Sequence, residues 1–320
     1  MFTIIDLNYE KCSSPFLSDE LIKKMRETIE AGAKCLLFFN RRWSARTLIC
    51  KDCGYQFLCD RCDLAMIVHS APEKKLLCHH CAFETPVPHA CPKCHGTNLL
   101  GVGFGIQKVE DDLRKLFPDT PIARIDSDKK RSEGIRLKEI QNASILLSTE
   151  LGNTLTIDGI ELVAFLLLES EMAVPEYDIE EKIYTNIAYN ARKGSDIYIQ
   201  TYIPSSDLIK HITEGNYRDF LVHTLAERKT FRYPPYGELV HLWVRDPSKE
   251  RIRDIIYKLK NKLEILKTPD IELYFDREIF TKRNNEYGQK IVLKWLNLSP
   301  LLATIAKELF RNRWVSLERK

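Results

Sequence analysis

The sequence predicts an α/β protein built on a parallel sheet, with an inserted metal-binding module and a small α+β domain after it. Short apolar runs alternate with helical patterns over the first two thirds of the chain, and eight of the ten cysteines fall between residues 50 and 94. Beyond a proline-rich turn at residues 233–237 (YPPYG), predicted strands alternate with amphipathic helices. Because the early strands are continuously apolar, we expect a sheet that helices cover on both faces.

Spacing and capping signals then place the elements in order. Ser18 is a candidate N-cap for a helix at 17–33 that ends at Gly32. Further helices are predicted at 106–116, 134–141, 179–190 and 208–231. Apolar runs predict strands at 35–39, 98–102, 122–125, 144–148, 162–168 and 196–202. Beyond the proline turn we expect strand 239–244, helix 248–266, strands 271–275 and 289–295, and helix 299–310.

These elements suggest three regions. Residues 1–48 and 98–205 form the domain with the parallel sheet, and residues 49–97 form the metal-binding module inserted into it. Residues 206–320 form a linking helix and the α+β domain, whose size of about a hundred residues is ordinary for a domain.

Composition excludes some functions and leaves others open. The 320 residues carry a net charge of only +3, so the total charge is not a strong nucleic-acid signal. Residues 1–11 lack the apolar core of a signal peptide, and the longest apolar run, 162–168, is too short to span a bilayer. We therefore expect a cytoplasmic protein without a membrane partner. In that compartment, ten cysteines indicate metal binding rather than disulfides.

The cysteines form four C-x-x-C pairs: Cys50/Cys53, Cys59/Cys62, Cys78/Cys81 and Cys91/Cys94. A structural zinc ion takes four ligands, so four pairs predict two zinc ions in two four-cysteine sites. A fully ligated ion has no open position for a water nucleophile, and no H-x-E motif of a zinc deaminase is present. Both ions are therefore predicted to be structural.

Three pairings of these C-x-x-C hooks are possible: sequential, nested and interleaved. We favour nesting, in which the outer two pairs share one ion and the inner two pairs share the other. Nesting closes residues 65–77 as a hairpin loop and brings the two ends of the module together, as an insertion requires. Histidines 79, 80, 89 and 95 are possible substitute ligands, but a full set of cysteines makes them unnecessary.

The order of several motifs resembles the C-terminal half of the PriA family of primosomal DNA helicases. These motifs are FFNRRW, the four C-x-x-C pairs, GVGFG, ARIDSD and YPPYG, and the cysteine spacing is the most specific of them. The resemblance covers nearly the whole chain. It implies a RecA-like second helicase lobe, residues 1–48 and 98–205, with a zinc module inserted in it. It also implies that Cys50, Cys53, Cys91 and Cys94 hold one zinc and Cys59, Cys62, Cys78 and Cys81 the other.

The resemblance further implies a role in replication restart. The partners it implies are forked or single-stranded DNA and primosome proteins, such as single-strand-binding protein or a loader of the replicative helicase.

The catalytic motifs of that family are absent or altered here. The sequence has no G-x-x-x-x-G-K-[ST] loop to cradle nucleotide phosphates and no D-E-x-H segment for magnesium. Where the family has Q-x-x-G-R-A-G-R, this chain has NIAYNARK, with Asn190 and Lys193 in place of arginines and Tyr189 and Arg192 in place of glycines. An arginine finger contributes ~10³–10⁵ in rate, so we expect neither ATP binding nor helicase activity from this degenerate nucleotide site at Arg192 and Lys193.

Candidate DNA contacts come from two basic pairs. Arg41 and Arg42 follow an apolar strand, and α/β sheets bind ligands at the carboxyl ends of their strands. Lys282 and Arg283 stand where the family has a basic loop. The alternative for each pair is a solvated loop, and DNA contact is the favoured interpretation for Lys282 and Arg283.

The sequence thus predicts a PriA-like protein that binds branched or single-stranded DNA through its zinc module and C-terminal domain, without helicase activity. One alternative is the second half of a split helicase whose first lobe is a separate chain. The other is a replisome scaffold that binds proteins and has no salt-sensitive affinity for DNA.

Overall fold

The computed structural model of the chain describes most residues between 2 and 319. The described ranges are 2–39, 46–53, 55–61, 64–69, 74–78, 83–102, 106–125, 133–149, 157–172, 176–266, 268–269, 271–275, 286–295, 301–302 and 315–319.

Seventeen strands and eight helices lie within these ranges. The strands are β1 Phe2–Asp6, β2 Cys12–Ser14, β3 Leu17–Ser18, β4 Lys34–Phe38, β5 Arg46–Cys50, β6 Ile67–His69, β7 Lys75–Leu77, β8 Glu84–Pro86, β9 Leu99–Val102, β10 Ile122–Ile125, β11 Ile145–Ser148, β12 Ile160–Phe165, β13 Asp196–Thr201, β14 Glu238–Asp246, β15 Glu272–Phe275, β16 Tyr287–Trp295 and β17 Val315–Arg319. The helices are α1 Asp19–Glu30, α2 Ile106–Leu116, α3 Glu133–Asn142, α4 Glu169–Met172, α5 Ile179–Asn190, α6 Asp207–Glu214, α7 Tyr217–Thr230 and α8 Lys249–Leu266.

The chain divides into two compact units. The first comprises Met1–Leu58, Ala65–Leu76 and Pro86–Phe220, and the second comprises Cys59–Leu64, Leu77–Thr85 and Leu221–Lys320. The cysteine-rich segment is thus divided between the units.

A six-stranded sheet is the centre of the first unit. Its strand order is β1-β13-β12-β4-β11-β10, and every neighbouring pair is parallel. The middle strands are apolar and buried on both faces, and Leu36 of β4 lies opposite Leu146 and Val163 in the register. Helix α1 packs on this sheet, and Ser18 caps it by accepting a hydrogen bond from the Leu21 N–H at 3.1 Å. The predicted α/β class with a parallel sheet is therefore confirmed.

The strand predicted at 162–168 is wrong at its carboxyl end. Strand β12 ends at Phe165, and Leu167 adopts a φ of 53°, which an extended strand does not allow. The apolar run continues because Leu166, Leu167 and Leu168 are all buried, although only its first part lies in the sheet. The segment turns instead into the short helix α4.

The single helix predicted at 208–231 is wrong, because two helices occupy that range. Gly215 closes α6 with a φ of 68°, a left-handed conformation that interrupts helical hydrogen bonding. The side chain of Asn216 then accepts a hydrogen bond from the Asp219 N–H at 3.2 Å and so caps the start of α7. Gly215 and Asn216 are therefore adjacent stop and start signals, which separate the two helices.

The strand predicted at 98–102 is present as β9, but it is not part of the parallel sheet. It pairs antiparallel with β5, and β6 pairs with β5 on the other side. Ile49 of β5 is fully buried in the same apolar core as the parallel strands. This small antiparallel sheet therefore joins the outer cysteine pairs to the core of the first unit.

The second unit contains an antiparallel sheet of order β15-β16-β14-β17. Helix α8 packs on one face of the sheet, where Ile252, Ile256 and Leu263 meet Val240 and Leu242. Of the helix predicted at 299–310, only residues 301–302 lie within the described ranges, and they are helical.

Candidate metal centre

Four cysteine sulfurs meet in the first unit. The Sγ atoms of Cys50, Cys53, Cys91 and Cys94 all lie within 4.8 Å of one another. The shortest separations are 3.6 Å between Cys50 and Cys94 and 3.7 Å between Cys53 and Cys91. A disulfide would require a sulfur separation of about 2.05 Å, so these are not disulfide bonds.

The arrangement fits a tetrahedral metal ion. Four sulfurs at about 2.3 Å from a central zinc are separated by about 3.8 Å along the edges of the tetrahedron. The two shortest separations here are 3.6 and 3.7 Å, close to that edge. An all-sulfur tetrahedral set suits zinc or iron rather than magnesium or calcium. These four cysteines could therefore hold one metal ion.

The backbone holds each outer pair in a tight turn. The N–H of Cys50 donates to the carbonyl oxygen of Tyr55 at 2.8 Å, and the N–H of Cys91 donates to that of Gly96 at 2.8 Å. The N–H groups of Lys93 and Gly96 point at the sulfurs of Cys91 and Cys94, each at 3.4 Å. Such donors stabilise negative charge on sulfur, which is the form that binds metal.

The environment shifts the thiol pKa values in opposite directions. Burial raises the pKa of Cys50 to about 12. Burial also opposes ionisation of Cys91, but hydrogen bonds from the N–H groups of Cys94 and Lys93 and from the Cys53 and Cys50 thiols together lower the pKa of that thiol. Four adjacent thiolates repel one another, so a bound cation is needed for all four to ionise together.

The first cysteine turn lies at the carboxyl ends of the parallel strands. The Lys51 Nζ is 5.2 Å from the centre of the Tyr202 ring, just beyond β13. The Gln56 side-chain amide donates to the carbonyl oxygen of Met172 at 3.4 Å. The candidate metal centre thus adjoins the edge at which parallel α/β sheets bind ligands.

A buried carboxylate, missed by the sequence analysis, organises the same edge. Glu169 is fully buried, accepts the Thr201 hydroxyl hydrogen bond, and accepts the Tyr202 N–H at 2.8 Å. Burial raises its pKa although these hydrogen bonds oppose the shift. Its other oxygen, Oε2, has no hydrogen-bond partner in the part of the chain that is described. No local pattern predicts this carboxylate, because LLLES is typical of the end of an apolar run.

The inner pairs are described only in part. Cys59 and Cys78 are buried, whereas Cys62 and Cys81 lie outside the described residues. The N–H of Cys59 donates to the carbonyl oxygen of Leu64 at 2.9 Å, and that of Cys78 donates to Phe83 at 2.8 Å. In all four pairs, therefore, the first cysteine bonds to the carbonyl five residues later.

The other predicted site residues are not brought to this centre by the described structure. Arg41, Arg42, Lys282 and Arg283 lie outside the described residues, so their proposed DNA contacts stay predictions.

Arg192 and Lys193 lie near the amino ends of the parallel strands, opposite the edge that adjoins the metal centre. The following Ser195 N–H donates to the carbonyl oxygen of Glu161, at the start of β12, at 2.9 Å. A side chain at Gly194 would place its Cβ 2.7 Å from that same oxygen, which explains the glycine. The Lys193 ammonium lies 5.1 Å from the centre of the Tyr189 ring, and burial lowers its pKa.

Arg124, in the ARIDSD segment, is buried against α2. Its guanidinium forms an ion pair with Glu110 at 2.9 Å, and only 5% of its side chain is exposed. This arginine therefore has a packing role in the first unit.

Within the described ranges, no helix has both the length and the apolar character needed to cross a membrane.

Comparison with known proteins gives a consistent relationship. No protein-family model matches the chain. It is 34% identical over 231 residues to the replication restart protein PriA of Bacillus subtilis (strain 168), covering 68% of this chain and 29% of that protein. It is 27% identical over 305 residues to PriA of Borreliella burgdorferi, covering 91% and 46% respectively. It is also 27% identical over 321 residues to PriA of Thermotoga maritima, covering 96% and 42%. The chain spans less than half the length of these relatives.

Proposed function

Because the chain is PriA-like over most of its length, we propose that it acts in replication restart by binding branched or single-stranded DNA. The observation that carries this proposal is the similarity to replication restart proteins over up to 96% of the chain. In this proposal the parallel sheet is a RecA-like lobe, the cysteine segment is a zinc module, and both the module and the C-terminal domain contact DNA.

We assign two structural zinc ions to the cysteine segment. Cys50, Cys53, Cys91 and Cys94 would hold the first, and their sulfur separations support this assignment. Cys59, Cys62, Cys78 and Cys81 would hold the second. The support for the second ion is the turn that Cys59 and Cys78 share with the outer pairs. Bound zinc would fix the direction in which each turn leaves the sheet, and would neutralise charge on the thiolates.

This chain would not act as a helicase by itself. Its sequence has no phosphate-cradling G-x-x-x-x-G-K-[ST] loop. The packing of Lys193 against Tyr189 also gives no support for a phosphate contact there. The proposed contribution is therefore recognition of DNA structure and recruitment of primosome proteins.

The test is a binding titration of the zinc-loaded chain against a three-way fork and a plain duplex of equal length, over a salt series. We expect preference for the fork and an affinity that falls with salt, because phosphate contacts release counterions. Cys91→Ser, which removes one proposed ligand, should reduce this preference, whereas Cys12→Ser, at an exposed cysteine of β2, should not.

Equal weak binding of both DNAs, or none, would contradict DNA recognition and favour a protein-binding scaffold. Salt-independent binding to a primosome protein would then be the positive result. ATP hydrolysis that appears only when a second, phosphate-loop-bearing chain is added would favour the split helicase.

A further inference from the structure

The four-stranded sheet of the second unit carries an aromatic and basic cluster on the face away from α8. Its chain order is strand, helix, two strands, helical residues and a last strand, with β16 and β14 in the middle. Leu301 packs in the same core as α8, so both helical segments cover one face. This is the β-α-β-β-α-β arrangement. On the face away from α8, four residues of the two central strands are buried: Leu239, His241, Val292 and Lys294. On these strands only the end at Trp243, Arg245 and Lys290 is therefore accessible.

Strand alternation assigns residues to the two faces. Val240, Leu242 and Val244 point into the core beneath α8, so Trp243 and Arg245 point to the opposite face. In the register, Trp243 lies directly opposite Lys290 of β16 and Ser316 of β17. Trp243, Arg245 and Lys290 therefore form one cluster on the two central strands, called here the Trp243 face.

The Trp243 face combines a half-buried indole with two cations. The Arg245 guanidinium carbon lies 5.4 Å from the centre of the indole ring, and the Lys290 ammonium lies 6.0 Å from it. The indole N–H donates to Glu318 at 3.2 Å, which fixes the orientation of the ring. Arg245 is exposed, and its guanidinium donates a hydrogen bond to the Ser316 hydroxyl at 3.4 Å.

The two cations are available to an anionic ligand. Among the described residues, no carboxylate forms an ion pair with Arg245 or Lys290, in contrast to Lys294 on the same strand, which pairs with Glu272 at 3.0 Å. Lys294 is also 97% buried and lies over the Tyr233 ring at 4.7 Å. One end of the sheet face is thus covered and neutralised, while the end at Trp243 keeps its positive charge.

We propose that the Trp243 face binds single-stranded DNA, with a base stacked at Trp243 and phosphates contacted by Arg245 and Lys290. Proteins bind single strands through aromatic side chains that stack bases and nearby basic side chains that contact the backbone. Two cations that no carboxylate of the described residues neutralises favour a polyanion over an uncharged or basic peptide. The inference rests on the proposed function and names the surface that would perform it in the C-terminal domain.

The test measures the affinity of the full chain for a labelled oligothymidylate of about 15 nucleotides, within the site sizes usual for single-strand binders. Trp243→Ala should weaken binding about tenfold, the scale of losing one stacked base. Trp243→Phe, which keeps an aromatic ring, should restore most of the affinity. Tyr257→Ala is the matched control, because that ring is 67% exposed on α8, away from this face.

A second pair of variants tests the cations without altering the ring. The double variant Arg245→Gln, Lys290→Gln should lower the slope of log affinity against log salt by about 1.4, or about 0.7 for each lost phosphate contact. Lys258→Gln, an exposed lysine of α8, should leave that slope unchanged.

The outcomes separate this inference from the proposed function. If Trp243→Ala binds the oligonucleotide like Tyr257→Ala, the inference is overturned even where fork preference is intact. If the unmodified chain binds forks but not single strands, the inference fails while the DNA-binding proposal stands. If it binds no DNA at any salt concentration, both the inference and the DNA-binding proposal fail.

Discussion

The parallel sheet and the outer cysteine region lie in the same unit, but different interactions hold them together. In the sheet, strands β4, β11 and β12 are buried on both faces, so removal of apolar surface from water stabilises the fold. In the outer cysteine region, β5 has five residues, β9 has four and β6 has three, too few to form a core of their own. The difference teaches that apolar burial can hold the sheet together, whereas the cysteine turns, with no core of their own, are expected to depend on the proposed ion.

The largest expected effect is removal of one metal ligand. Cys91→Ser should lower bound zinc by one of the two proposed ions and loosen residues 46–102, because structural zinc sites contribute about 10–16 kcal/mol of apparent binding energy. Zinc content by mass spectrometry and the rate of limited proteolysis would measure this. Cys12→Ser is the control. Unchanged zinc content in Cys91→Ser would contradict the four-cysteine assignment.

A cavity in the sheet should have the opposite effect, a loss of stability without a loss of zinc. Leu147 is fully buried in the main core, so Leu147→Ala should lower the free energy of unfolding by about 2–5 kcal/mol. Zinc content of the folded protein should not change. Urea denaturation followed by circular dichroism would measure the loss, with Ile265→Ala, 81% exposed, as the control. If Leu147→Ala lost zinc without losing stability, the two regions would not be stabilised by separate interactions.

The buried Glu169 should make the stability of the sheet edge depend on pH. Burial raises its pKa in the folded chain, so its contribution is present below the ordinary glutamate range, near 4.5, and is lost as pH rises through the raised value. One such group changes the free energy of unfolding by at most about 1.4 kcal/mol per pH unit.

Glu169→Gln keeps a carbonyl oxygen that can accept the Tyr202 N–H but cannot ionise. Unfolding free energies of this variant should therefore decline less between pH 4.5 and neutrality than those of the unmodified chain. Parallel curves for the two proteins would show that Glu169 does not titrate in that interval.

The smallest effect is expected from a surface ion pair of the sheet domain. Lys24 and Asp196 lie 2.6 Å apart, with 29% and 43% of their side chains exposed, and the hydrogen bond to Asp196 raises the lysine pKa. Because solvent screens such pairs, Lys24→Met should cost less than about 1 kcal/mol. Lys23→Met, at the adjacent exposed lysine of α1, is the control in the same denaturation assay. A loss as large as that of Leu147→Ala would mean that the pair is shielded from water.

Much of the first unit followed from local pattern. Helices 106–116 and 179–190 and strand 122–125 have the predicted bounds, because each coincides with one uninterrupted run of helical or apolar spacing. The wrong predictions arose where one local pattern is compatible with two structures. LVAFLLL is apolar throughout, yet only its beginning lies in a strand, and the remainder is buried by a turn. NLLGV contains a strand, but its five residues do not indicate which sheet the strand joins.

The sequence by itself determined the class of the sheet and the four C-x-x-C turns, because spacing and apolarity act between neighbours in the chain. Tertiary structure decided which sulfurs meet, since Cys50 and Cys94 are far apart in sequence and become close only through the pairing of β5 with β9. It also decided that Glu169 is buried at the sheet edge and that Arg245 and Lys290 lie beside the Trp243 ring. Contacts of this kind depend on how separate strands align, and no local pattern encodes that alignment.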